Sequence, residues 1–418
     1  MSKYVEYKNL NLPEIGKAMQ EYWTKMRIFE RSMQIREGAK EFVFFEGPPS
    51  ANGKPGIHHV MARSIKDIIC RYHTLKGEYV YRKGGWDTHG LPVELGVEKN
   101  MGITKEDIGK KITVEEYNKA CRNEVMKFKD MWDDVTQKMG YWVDLDDPYI
   151  TFDNKYIESV WNLLSRLYEK DLLYKGYTIQ PYSPAAGTGL SSHELNLPGC
   201  YKDVKDTTVV GQFKVKNDQK SAFPWDLDAL NVKMEELYFL AWTTTPWTLP
   251  SNTALAVGPK IDYLLVKTFN PYSGKPVTVV LAKNLLGHFF SEKNSNLSFE
   301  DYKPGDKNIP YQVLGETKGE KLVGIQYEQL IPYVKPEEGA FRVIPGDYVT
   351  TEDGTGIVHI APTFGADDKR VANDAGIPPL IMIDANGVAQ PMVDKTGKFY
   401  KIEDLNPEFV KTNVNVEL

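Results

Sequence analysis

A chain of 418 residues with 41% hydrophobic, 12% aromatic and 26% charged residues has apolar area for two or three folded domains, which excludes disorder as its main state. Three cysteines (Cys70, Cys121 and Cys200), odd in number and far apart, exclude a disulfide scaffold and a Cys-x-x-Cys zinc knuckle and fit a reducing cytoplasm. The net charge of −6 is unevenly placed: residues 1–200 carry 28 basic and 28 acidic side chains, and the remainder carries 23 against 29. Residues 51–100 run the other way, with 8 basic against 5 acidic, so charge neither demands nor excludes RNA. With no run of 18 apolar residues and an N-terminus, M-S-K-Y-V-E-Y-K, unlike a signal peptide, neither membrane spanning nor secretion is expected.

From about Leu12 to Ala39, Ile15, Met19, Trp23, Met26 and Phe29 recur at helical spacing. The run E-F-V-F-F-E, residues 41–46, predicts a strand that ends at Gly47-Pro48-Pro49 and opens into a loop dense in glycine and proline, Gly47 to Gly56. Met61, Ile65, Ile68, Ile69 and Tyr72 then mark one face of a helix ending near Gly77, and a second strand spans about Glu78 to Lys83. Strand, glycine loop, helix, strand is the pattern of a parallel βαβ unit, the nucleotide-binding half of a doubly wound, Rossmann-like parallel sheet. Residues 104–140 and 153–169 are helical in pattern, and the chain turns irregular around Pro181 to Pro198. From Cys200 the texture changes to short β-rich runs: Thr207–Val215, Glu236–Thr243, Asp262–Thr268, Val277–Ala282 and Gly356–Ile360. These predict an α/β domain over 1–199 and an inserted, mainly-β, barrel-like domain over 200–418.

Three segments carry chemistry. A helix N-terminus following the glycine loop favours phosphate, and here it offers His58 and His59, with Arg63, Lys66 and Arg71 behind them. The plain alternative is a surface helix with two solvated histidines. G-W-D-T-H-G-L-P-V-E, Gly85 to Glu94, ends the second strand, and its Asp87 can hold an ammonium group while Trp86 and Pro48 wall an apolar pocket. Alternatively, Asp87 is the N-cap of a helix starting near Pro92. A-W-T-T-T-P-W-T-L-P-S-N, Ala241 to Asn252, sets hydroxyls and methyls on both faces of a strand end, where they can bond a ribose and crowd a small pocket. G-T-G-I-V-H-I-A-P-T-F-G-A-D-D, Gly354 to Asp368, adds an imidazole at His359 and a carboxylate at Asp368. Each of the last two also has a bland reading, a β-strand and a turn.

The combination of G-P-P-S-A-N-G, the two-histidine helix start, S-I-K-D-I-I-C-R-Y and G-W-D-T-H-G-L-P-V-E resembles the class I aminoacyl-tRNA synthetases, and within them the isoleucine branch. The valine branch builds its counterpart of W-D-T-H-G around Asp-His-Ala-Gly, and the first loop of the leucine branch differs. Ala241–Asn252 and Gly354–Asp368 are similar to the two motifs of that family's editing domain, which strips valine from the isoleucine tRNA.

The resemblance implies that Asp87 grips the α-amino group of isoleucine, with Gly47, Pro48 and Trp86 about the side chain. It places ATP, with Mg2+, against Asn52, Gly53, Gly56, Ile57, His58 and His59. In editing it implies Thr243 and Thr245 with His359 and Asp368 as the working groups, and Thr244 and Asn252 as substrate contacts. Asp368 would take the ammonium of valine, and His359 would close the pocket to isoleucine, with water attacking under polar groups and the substrate's own ribose hydroxyl. The partners implied are isoleucine and the acceptor end of its tRNA, with a monomeric parent and no membrane.

Three departures accompany the resemblance. A Lys-Met-Ser-Lys-Ser loop is absent from the sequence, so the chain reads as an N-terminal piece that would not form adenylate by itself. Most relatives begin the helix with His-x-Gly-His, whereas Gly56-Ile57-His58-His59 exchanges the first and third positions and leaves the role of His58 open. Ser183 and Ala186 stand where zinc thiolates would be needed between Tyr182 and Glu194, and His193 alone cannot hold zinc, so none is expected there. A free-standing tRNA-binding or trans-editing module, and a valine- or leucine-branch fragment, are the competing readings.

Overall fold

The structure, a computed structural model, describes residues 9–176 and 178–418. The N-terminal octet read above as unlike a signal peptide lies outside the described residues. The chain forms two compact units, Met1–Gly176 and Tyr177–Leu418. Among the described residues no helix is long and apolar enough to cross a membrane.

The first unit contains helices α1 (Leu12–Met26), α2 (Ile28–Gln34), α3 (Ile57–Leu75), α4 (Leu91–Met101), α5 (Val114–Val125), α6 (Lys129–Lys138) and α7 (Asn154–Tyr168). The first predicted helix is two, because Arg27 adopts a left-handed conformation (φ 51°) between α1 and α2. Strands β1 (Lys83–Trp86) and β2 (Asp144–Ile150) form a parallel two-stranded ladder. The strand expected over 41–46 reduces to one parallel bridge, Glu41 to Tyr79, where the Phe42 N–H donates to the Tyr79 carbonyl. Val43 and Phe45 are exposed, Phe45 at 92%, so this run lacks the covering layers that a buried parallel strand requires. The wide doubly wound sheet is therefore represented here by this bridge and the β1–β2 pair.

Helix α3 forms where expected, but its apolar stripe is on the outside: Met61, Ile65, Ile68, Ile69 and Tyr72 are exposed, while Arg63, Cys70 and Thr74 are buried. Aromatic faces make this possible. The Arg63 guanidinium lies 4.8 Å from the Trp132 ring centre and donates to Thr136, and Arg71 lies 3.9 Å from the ring centre of Trp142.

The second unit opens with the hairpin β3 (Tyr182–Ser183) and β4 (Thr188–Gly189) and the single turn α8 (Ser192–Leu195). Its main sheet uses β5 (Val209–Lys214) and β6 (Leu237–Thr243); β7 (Ala254–Val257) leaves it; β8 (Asp262–Phe269) and β9 (Pro276–Ala282) rejoin it. After the turn α9 (Leu286–Phe289) come β10 (Gln312–Lys318), β11 (Arg342–Pro345), β12 (Ile357–Ile360) and α10 (Ala366–Asp374). A last hairpin, β13 (Met382–Ile383) and β14 (Ala389–Gln390), precedes α11 (Pro407–Asn413). The five strands predicted after residue 200 are β5, β6, β8, β9 and β12.

The barrel is not. Among the described residues the strands make an open five-stranded sheet, β10-β8-β9-β6-β5, and a separate three-stranded sheet, β11-β7-β12, with no closed barrel. Closure fails because β7 takes both of its hydrogen-bonded neighbours, β11 in parallel and β12 antiparallel, outside the larger sheet. A core of Phe213, Phe239, Leu255, Leu265, Val280, Ile357 and their neighbours fills the space between the two sheets.

Within that core the fully buried Tyr327 hydroxyl donates to Asn252 Oδ1 at 2.6 Å. Burial pushes the phenol well above its ordinary pKa, so it stays a donor. Tyr327→Phe would leave a buried amide oxygen unpartnered, a cost of roughly 1–3 kcal/mol. Urea unfolding of the chain should show that loss in the transition of the second unit; a midpoint equal to wild type would contradict it.

Candidate functional sites

In the first unit, the glycine loop is pinned from three directions. The Asp87 N–H donates to the Pro49 carbonyl (2.9 Å), the Phe128 N–H to Ala51 (2.9 Å), and the Trp132 indole N–H to Gly53 (2.8 Å). The loop thereby borders a cleft of about 360 Å³ at the start of α3, lined by Gly47, Asn52, Gly53 and His59 with Glu46, Lys66 and Trp132 among others. Pro48, Gly56, Ile57 and His58 lie outside that lining.

The Gly56 N–H donates to His59 Nδ1 at 2.9 Å, which fixes the neutral ring's proton on Nε2 and makes that nitrogen a donor. Burial, then His58 and Arg63, lower the His59 pKa from its ordinary value. The two imidazoles lie 3.8 Å apart, and His59 meets the Trp132 ring edge-on at 4.7 Å. Lys66 is paired with Glu46 at 2.8 Å, and the Tyr141 hydroxyl donates to the same carboxylate at 2.6 Å.

Pro48 and Trp86 do share a cavity, with Tyr141 and Tyr149, but its volume is only about 30 Å³, room for about one water. Asp87 is exposed at the end of β1 and accepts weakly from the His89 N–H at 3.5 Å. It is not a helix cap, because α4 begins at Leu91 with Gly90 at the capping position.

The second unit brings together the two motifs that are more than a hundred residues apart. Thr243, Thr244, Thr245, His359 and Asp368 line one cleft of about 340 Å³, with Tyr348 and Thr355. Thr243 ends β6, and its hydroxyl accepts from the Thr245 N–H at 3.0 Å, folding the threonine run into a turn. A relay of hydroxyls follows: Thr243 to Thr245 at 3.2 Å, Thr245 to Thr248 at 3.4 Å, and Thr248 to His359 Nε2 at 3.2 Å. His359 is only 7% exposed and its Nδ1 has no partner, so burial pushes its pKa down to about 4.

Asp368 sits in the first turn of α10, and its carboxylate accepts from the Ala361 N–H at 2.9 Å. Burial raises its pKa against that hydrogen bond, and Asp367 raises it further. Asn252 is elsewhere. It is buried, donates to the Ala254 carbonyl at 2.7 Å, and lies outside the cleft lining, where it holds the strand. Thr248, within Ala241–Asn252, and Tyr348, within neither motif, are site residues that the pattern did not single out.

Residues 18–408 match the family of tRNA synthetases class I (I, L, M and V). The chain is 65% identical over 416 residues to the isoleucine–tRNA ligase of Bacteroides fragilis, covering 100% of this chain and 36% of that protein. It is 64% identical over 410 residues to that of Cytophaga hutchinsonii, covering 98% and 36%. The chain thus spans about 36% of the length of these relatives. Among solved structures, the cytosolic leucyl-tRNA synthetase editing domain of P. knowlesi aligns with 40% of this chain and 62% of its own, at 18% identity and a TM-score of 0.30.

The paired histidines at the start of α3 have a measurable consequence. Because His58 is one cause of the lowered His59 pKa, His58→Ala should raise the His59 midpoint toward 6.5 in an NMR titration of the ring nitrogens. An unmoved midpoint would show that burial and Arg63 account for all of the shift.

Proposed function

The chain belongs to the class I tRNA synthetases, and on that premise we propose that it carries two working sites of an isoleucine–tRNA ligase. The cleft of the second unit hydrolyses valine from mischarged isoleucine tRNA, and the cleft of the first unit is part of the site where ATP activates isoleucine. The observation that carries the reading is the meeting of Thr243, Thr244, Thr245, His359 and Asp368 around one space of about 340 Å³.

Such a second site is physically required. One methylene separates isoleucine from valine and is worth only about 1–3 kcal/mol in a pocket, a general figure for which this amino-acid pair is the standard instance. In the proposed hydrolysis, a water oxygen bonds to the ester carbonyl carbon, the bond from that carbon to the ribose oxygen breaks, and the ribose oxygen takes up a proton. The threonine hydroxyls hold the terminal ribose and the water. The Asp368 carboxylate pairs with the amino acid's ammonium. His359, neutral at physiological pH because of its burial, adds bulk without opposing that ammonium, and Thr248 holds its ring in place.

In the first unit, the N-terminus of α3, His59 Nε2–H and Lys66 supply donors for phosphate oxygens, and a phosphate would compete with Glu46 for Lys66. Asp87, at the end of β1, is the proposed partner of isoleucine's ammonium. The family's chemistry implies Mg2+ with the nucleotide, but the residues of this cleft do not fit a magnesium cage of their own. The carboxylate in the lining, Glu46, is engaged by Lys66 and Tyr141.

Losing the Asp368 pairing, a charged hydrogen bond worth roughly 1.5–3 kcal/mol, should slow valine removal by about ten- to a hundredfold. Asp368→Ala should therefore let valine accumulate on isoleucine tRNA in the full-length enzyme while isoleucine activation continues. His359→Ala should open the cleft so that correctly charged isoleucine is stripped as well. Deacylation of both charged tRNAs by wild type and the two variants is the measurement. Clearance of valine at the wild-type rate by Asp368→Ala would leave Asp368 only its structural bond to Ala361.

The pH profile follows from the same pair. Pairing needs Asp368 ionised and the amine protonated. Because burial raises the carboxyl's pKa, valine removal should fall on acidification at a higher pH than an ordinary aspartate would set. A profile flat through the carboxylate range would exclude Asp368 from binding.

A further inference from the structure

Tyr348 lines the threonine cleft but belongs to neither motif, and hydrolysis by the motif residues leaves it without a task. It follows β11 in a turn that opens at Gly346, whose N–H donates to the Val257 carbonyl at 2.8 Å. A Cβ at Gly346 would come 3.1 Å from the Ala256 Cβ and 3.2 Å from Tyr348 Cε1. Glycine there lets the phenol ring lie close against β7.

The ring packs on the smaller core, with Ala256, Ile360, Val371 and Ala372 among its members. Val371 and Ala372 stand three and four positions beyond Asp368 in α10, on the same face of that helix. Tyr348 therefore lies along the face of α10 that carries the carboxylate into the cleft. Burial, then the charges of Asp368 and Asp367, push the phenol above its ordinary pKa, with Arg370 opposing and Asp347 adding to the shift. The group stays protonated, and Asp368 leads the charges around it.

The hydroxyl oxygen is shielded from solvent and has no hydrogen-bond partner among the described residues. An unpaired buried hydroxyl is costly, and folded chains keep few of them without a use. Because the oxygen is shielded, a substrate in the cleft does not reach it, and any task runs through a neighbouring side chain. Asp368 is the neighbour that a donor would serve. Its Oδ2 accepts from the Ala361 N–H at 2.9 Å, while burial opposes its ionisation and Asp367 adds a like charge. His359, in the same cleft, has its Nε2 on Thr248.

We propose that Tyr348 is a positioning residue for valine removal: as the substrate's ammonium enters, the Asp368 carboxylate turns to meet it and accepts a hydrogen bond from the Tyr348 hydroxyl. This rests on the cleft being the ester-hydrolysing site. The second donor keeps the carboxylate ionised and fixes the direction from which it holds the ammonium.

The test is a double-mutant cycle in the full-length enzyme, read as the rate of valine removal from mischarged isoleucine tRNA. Tyr348→Phe should slow removal about tenfold, the value of one hydrogen bond to a charged group, and should move the acidic limb of the rate to higher pH. In an Asp368→Ala background the same substitution should cost nothing further, because Tyr348 then has no carboxylate to act through. A packing role would instead slow both backgrounds alike. With no partner to lose in the unliganded chain, Tyr348→Phe should unfold in urea at or above the wild-type midpoint. A wild-type rate and pH profile in Tyr348→Phe, equal losses in both backgrounds, or a lowered urea midpoint would each overturn the proposal. Valine removal indifferent to Asp368→Ala would overturn the editing reading and the role of Tyr348 with it. A loss in Asp368→Ala beside an unchanged Tyr348→Phe would overturn the role of Tyr348 alone.

Discussion

The register of β12 against β7 is the constraint on which the threonine cleft depends. Ile357 faces Val257 and His359 faces Leu255, and beyond the strand end the Thr253 N–H still donates to the Ile360 carbonyl at 2.9 Å. The first motif runs directly into β7 and the second contains β12, so this one pairing sets Thr248 within 3.2 Å of His359. A one-residue slip exchanges every side chain of a strand between faces. Here Leu255, Val257 and Ile357 fill one core while Ala254, Ala256 and Ile360 fill another. Asn252 reinforces the arrangement through its bonds to Ala254 and Tyr327. Its place in the threonine motif is thereby explained by strand geometry, with no contact to the cleft needed.

Burial then sets the charge of the cleft. The same desolvation that pushes His359 down to about 4 pushes Asp368 up, so both groups are moved toward neutrality. The effects on a cationic substrate are opposite. A neutral imidazole removes a repulsion, whereas a raised carboxyl narrows the pH range over which an anion is available. The Ala361 N–H limits that second effect by stabilising the ionised form. A backbone bond that looks purely structural therefore also favours the ionised carboxylate.

Much of the second unit was legible because β-branched and aromatic runs bounded by turn residues predict strands well; Val277–Ala282 and Asp262–Thr268 are examples. β7, β10 and β11 were not. A-L-A-V is too short and too rich in alanine to signal a strand, and Q-V-L-G-E-T-K is interrupted by glycine and charge. Strand spacing suggests closure into a barrel but does not encode which strands pair. In the first unit, apolar periodicity located α3 correctly but could not say that its inner face would be polar. That depends on Trp132, Tyr141 and Trp142, seventy residues away, accepting guanidinium groups on their rings. Motifs placed the cleft residues together, yet Tyr348 reaches the cleft from a loop with no pattern of its own.

Gly56 and the two histidines at the start of α3 depend on one another. His59 needs an N–H from residue 56 for its Nδ1, and any residue except proline supplies one. The glycine at 56 answers a different need. An added Cβ there would lie 2.8 Å from His58 Cε1, so the imidazole of His58 occupies the space that a side chain at 56 would fill. Once histidine stands at 58, a residue without a Cβ at 56 leaves that ring its place against His59. Positions 56 and 58 are therefore sterically coupled. A side chain at 56 would press against the His58 ring.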